Sequence, residues 1–155
     1  DIIEILRRRL SIDRKDASVI AVLSQGNPGK ALALANDDTF CQIRETLIKG
    51  MSLAGSVKIL DLYEIFADNR DRVEDLFNIL QLWIRDLLII KETGEWSLVA
   101  NQDQSALLKR QVSSFTSAAL KDMIESIEGS RIMLKRNSNY QVTIENMLLN
   151  FQGGA

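Results

Sequence analysis

Three groups of residues in this 155-residue chain have the types and spacing to do chemistry. Arg7, Arg8 and Arg9 form a cationic run. With Arg14, Lys15 and Lys30 they give residues 1–36 a net charge of +2, against −4 for residues 37–155. Guanidinium groups hold phosphate through paired hydrogen bonds, so the run invites a phosphate contact. The plainer reading is the last turn of a solvated helix, where the macrodipole favours cations. The second group, Gly26-Asn27-Pro28-Gly29-Lys30, is built like a turn opening a helix, with Asn27 placed to cap it and Pro28 suited to its first turn. The third is Leu82, Arg85, Asp86 and Ile89, which stand together on the polar side of an otherwise apolar stretch. Apolar anchors beside charges that fix register suit a protein–protein interface. The alternative is that Leu82 and Ile89 touch a neighbouring helix of the same domain.

Other chemistry is excluded by composition. With no histidine, neither a Ser-His-Asp nor a Cys-His system can be assembled, and Cys41 alone makes neither a thiolate zinc site nor an intrachain disulfide. No Walker A or dinucleotide glycine fingerprint occurs. The acidic pairs Asp37/Asp38, Glu74/Asp75 and Glu125/Glu128 read as helix caps or solvated faces rather than as acid–base machinery. No catalytic residue and no metal ligand is expected. A net charge of −2 and a pI near 5.2 argue against a dedicated nucleic-acid or anionic-membrane binder. Gln81, Arg85 and Asp86 interrupt the longest apolar run, so no membrane span is expected. The composition, 46% hydrophobic and 26% charged, is that of a soluble globular protein, and a cytoplasmic location is expected.

These residues must be positioned by helices. Leu76, Phe77, Ile79, Leu80, Trp83, Ile84, Leu87, Leu88 and Ile90 cover about half of a helix at roughly 100° per residue, which predicts a central helix from about Asn69 or Arg70 to Gly94. Ahead of it the pattern predicts a first helix through Ile2, Ile3, Ile5, Leu6 and Leu10, and a second from Asp13–Asp16 to Leu23 that stops at Gly26. A short helix follows Pro28, another runs from Asp37 or Asp38 to Gly50, and another from Met51 to Asp68 turns Leu53, Val57, Leu60, Ile65 and Phe66 inward. After the central helix, Trp96 reads as a loop aromatic at the core edge. A long helix is expected over Ser105–Ile127, broken by Gly129-Ser130, then a short one over Arg131–Arg136 and a last one capped by Asn139. The fold class is all-α. The shift in charge near Asn36 divides the chain into a small three-helix unit (1–36) and a helical bundle (37–152), with 153–155 as a tail. Because the chain lacks an initiator Met and starts with helical spacing, it is expected to be the C-terminal part of a larger protein.

Gly26–Leu34, GNPGKALAL, resembles the lid of AAA+ clamp-loader subunits, and in particular the delta-prime subunits of bacterial DNA polymerase III. Two further stretches resemble the collar domain of the same subunits: Leu82-Trp83-Ile84-Arg85-Asp86-Leu87-Leu88, and the last helix with Asn137, Asn139, Val142, Glu145, Met147, Leu148 and Leu149. In ATP-hydrolysing relatives the lid turn carries a phosphate-sensing arginine where this chain has Gly29, a departure that favours delta-prime over tau/gamma; Lys30 lies one position later and points elsewhere. The resemblance implies a lid followed by an oligomerisation collar in a subunit of the polymerase III holoenzyme, with no catalytic site of its own. Tau/gamma and delta subunits are the implied partners, and the sliding clamp and primed DNA are reached through the assembled complex. No cofactor is implied here: ATP is bound by partner subunits, and any zinc would belong to a preceding N-terminal domain. Delta, tau/gamma, or a helical nucleic-acid-binding or regulatory domain are the alternatives.

Overall fold

Short polar side chains set most of the helix starts. In the computed structural model, which describes residues 1–51 and 59–153, Asp1, Asp13, Asn27, Asp37, Thr116 and Asn139 each accept a backbone N–H two or three residues on. Nine α-helices and no strand occur among the described residues, so the fold is all-α. They are α1 (Ile2–Leu10), α2 (Arg14–Leu23), α3 (Pro28–Ala35), α4 (Asp38–Gly50), α5 (Ile59–Asp68), α6 (Val73–Thr93), α7 (Ser105–Gln111), α8 (Ser117–Lys135) and α9 (Tyr140–Gly153).

The helix α6 is the axis of the molecule. It packs against α4, α7 and α8 and also touches α2, while α9 lies across α8 and α5. Phe77, Leu80, Trp83, Ile84 and Leu87 are fully buried, each side chain contributing about 1.5–3 kcal/mol of apolar burial. The buried indole of Trp83 donates to Gln111 Oε1 at 2.8 Å, and Gln111 Nε2 donates to the Ile48 carbonyl at 2.8 Å, which joins α6, α7 and α4 without an orphaned polar atom. Gly94 closes α6 in the left-handed conformation at φ 69°, which glycine adopts without a Cβ penalty. The helices α1 to α3 pack on one another, and a single hydrophobic cluster runs from Leu6 in α1 to Phe151 in α9.

Three expectations are corrected. The segment Ser105–Ile127 is not one helix: α7 ends at Gln111, a 3-10 turn covers Val112–Ser114, and Phe115 is extended before Thr116 caps α8. Nor does Gly129-Ser130 break a helix. A Cβ at Gly129 would meet nothing within 4 Å, Ser130 satisfies its hydroxyl on the Ser126 carbonyl, and α8 continues to Lys135, stopping where Asn137 turns left-handed at φ 60°. In α5, Leu60 points outward, 77% exposed, and Leu62 takes the inward place with no exposure. The backbone of Gly50 lies so close to Leu62 that a Cβ there would sit 2.7 Å from Leu62 Cδ2. Leu53 and Val57 lie outside the described residues. Trp96 sits in a 3-10 turn, 38% exposed.

Candidate subunit interface

The polar side of α6 was the expected docking face, and its four residues are placed differently from one another. Asp86 comes three residues after Trp83 and four before Ile90, so helical geometry turns it inward. Its carboxylate is fully buried and accepts from the Ala100 amide at 3.0 and 3.1 Å, the Asn101 amide at 2.8 Å and Asn101 Nδ2 at 2.7 Å. Asn101 Oδ1 in turn accepts from Arg44 Nη2 at 2.7 Å, and the Arg44 fork grips both oxygens of Asp103 at 2.7 and 2.9 Å. This chain of bonds ties α6 to the loop ahead of α7 and to α4. The Asp103 turn packs against α2, where burial, with Asp103 and Asp13 adding, pushes the Asp16 carboxyl above its usual value. Asp86 is therefore an internal tie and not a contact charge.

Leu82 is mostly buried within the chain. It is 8% exposed and, with Val22 and Leu23 of α2, lines an open space between α2 and α6. Ile89 is partly buried against the core. Arg85 alone of the four is exposed.

The remaining polar flank of α6 is covered by α8. Arg131 donates to Glu74, to Asn78 Oδ1 at 3.2 Å and to Gln81 Oε1 at 2.8 Å, while its guanidinium lies 5.4 Å from the Phe77 ring centre. Gln81 Nε2 returns a bond to Glu128 at 2.8 Å. Sequence reading assigned no role to Arg131; its i+3 spacing from Glu128 was a visible but weak signal.

In the Gly26–Lys30 turn, Asn27 Oδ1 accepts the Lys30 amide at 3.0 Å with Pro28 in the first turn, as the residue types require. Lys30 Nζ lies 3.6 Å from Asp75 Oδ1 at the start of α6. Asp75 and Asp37 both pair with Arg72, at 3.7 and 2.8 Å, so ion pairs bracket the passage from α3 to α4. Arg7, Arg8 and Arg9 are exposed in the last turn of α1; Arg8 pairs with Glu4 at 2.8 Å, and among the described residues Arg7 and Arg9 form no hydrogen bond or ion pair.

One exposed apolar feature was missed. Val142 and Leu149, seven residues apart, share the outer face of α9 at 52% and 55% exposure, and Ile132 and Met133 at the end of α8 are 49% and 44% exposed. Among the described residues no group of three metal-ligating side chains is assembled, and no helix is long and apolar enough to cross a membrane.

Residues 38–153, from the first residue of α4 through α9, match the family model described as DNA polymerase III, delta subunit, C terminal. The chain belongs to this family. It is thereby a member of a clamp-loader subunit family of DNA polymerase III. The Asp86 tie, the Arg131 clamp and the exposed stripe of α9 all lie within the matched delta-family region, whereas α1 to α3 and the Gly26–Lys30 turn precede it. No curated protein matches the chain.

Proposed function

We propose that this chain is the lid (1–36) and collar (37–152) of a delta-prime-type clamp-loader subunit in the cytoplasm. Its collar holds tau/gamma and delta subunits in a ring, so that ATP bound by partners opens the sliding clamp for placement on primed DNA. The match of residues 38–153 to the delta C-terminal family carries the proposal. Gly29 supports the delta-prime form: it occupies the place of the phosphate-sensing arginine of ATP-hydrolysing relatives. A Cβ there would come no closer than 3.4 Å to Asn27 Oδ1, so packing does not demand the glycine. The chain supplies a rigid helical surface, with the exposed aliphatic residues Val142 and Leu149 as its apolar anchors.

Membership of the delta C-terminal family favours a second reading, the collar of delta itself. One experiment separates the two: sedimentation of the chain alone and with tau/gamma and delta collar fragments from the same organism. A delta-prime collar enters one species together with both. A delta collar instead competes with delta for tau/gamma. If the mixture sediments as the sum of its parts, the collar assignment fails for this chain.

A further inference from the structure

Between α2 and α6 lies an open cavity of about 270 Å³. Val22, 45% exposed, and Leu82 give it an apolar wall, and Gln25, Asn78, Gln81 and Arg85 supply its polar lining. Among the described residues no carboxylate lines it.

The polar groups at the cavity divide into satisfied and free ones. Gln81 is engaged at both ends, accepting from Arg131 and donating to Glu128. The Asn78 oxygen accepts from Arg131, and the amide N–H pair of Asn78 has no partner among the described residues. Arg131 is neutralised by Glu74 and Glu128. Arg85 is exposed and makes no hydrogen bond or ion pair among the described residues. The cavity thus presents an unpaired guanidinium and an unused amide donor beside aliphatic surface, with no fixed negative charge on its walls among the described residues. A carboxylate next to an apolar side chain is the complement of that arrangement.

We propose that the cavity receives a segment of a neighbouring clamp-loader subunit that presents an Asp or Glu carboxylate to Arg85 and an aliphatic side chain to Val22 and Leu82. This rests on the collar reading above. The placement also explains how Leu82 serves both the fold and the interface: its buried side belongs to the core, and its remaining surface forms part of the pocket.

The test is binding of the 155-residue chain to tau/gamma and delta collar fragments by titration calorimetry, with variants at Arg85. Arg85→Glu is expected to weaken binding tenfold or more without altering helicity, because the native side chain has no internal bond. Arg85→Lys keeps the charge but loses the fork and weakens it less. Arg110→Glu, the same charge change at another exposed cation, leaves it unchanged. Added salt should weaken the wild type more than Arg85→Glu. Wild-type-like binding by Arg85→Glu overturns the inference and leaves the collar reading standing; failure of the wild type to bind any loader subunit overturns both.

Discussion

Arg85 and Asp86 are neighbours in the chain, yet on α6 the first faces solvent unpaired while the second is sealed beneath Ala100 and Asn101. Both stood on the side of the helix that residue type marks as polar. Their separation follows from 100° of helical rotation, which carries Asp86 into the register of Trp83 and Ile90, and from a loop after α6 that brings backbone donors to its carboxylate. A charge held this way fixes the fold, whereas a charge left without a partner is available to another molecule. The contrast extends to Arg131, whose bonds to Glu74, Asn78 and Gln81 commit it to holding α8 against α6.

The contrast breaks most readily at Asp86. Replacing it with Ala leaves three buried N–H donors of Ala100 and Asn101 facing no acceptor, and should cost about 3–5 kcal/mol in equilibrium unfolding. A small loss would mean that water or a rearranged loop replaces the carboxylate. Arg131→Ala should be milder, about 1–2 kcal/mol, because its acid partners Glu74 and Glu128 are about half exposed and solvent screens them.

The third effect is a pH dependence. The Phe40 amide, and after it the Arg72 side chain, hold the Asp37 carboxyl below its ordinary value of 3.8. A depressed carboxylate contributes stability that is fully present above that ordinary value and is lost as pH falls through the lower folded one. Titration of Asp37 followed by carbon NMR should give a midpoint under 3.8, moving upward in Arg72→Ala. An unshifted midpoint would detach this pair from the passage between α3 and α4. Smallest of all, Arg85→Ala should change stability by less than about 0.5 kcal/mol.

Much of the fold was legible because local chemistry and tertiary structure agree. Asp37 and Gly50 bound α4, Asn27 and Pro28 open α3, Asn139 starts α9, and the apolar run of α6 is buried as its period requires. The α7–α8 junction was hidden because its apolar spacing continues through the bend. The available signal was the polar cluster around Phe115, in which Thr116 caps the next helix through the Ala119 amide. Gly129 misled because a glycine inside a solvent-facing turn costs only about 1 kcal/mol and need not end a helix. The Asp86 tie escaped because its partners lie 14 and 15 residues away in a loop without periodicity, although a carboxylate in apolar register was visible.

Urea unfolding of Asp86→Ala and Arg85→Ala, measured side by side with the wild type, tests most directly the division of labour along α6. The account predicts a midpoint far below wild type for Asp86→Ala and an unchanged midpoint for Arg85→Ala, with equal slopes. Matching midpoints for the two variants would contradict it, since neighbouring charges would then contribute alike to the fold.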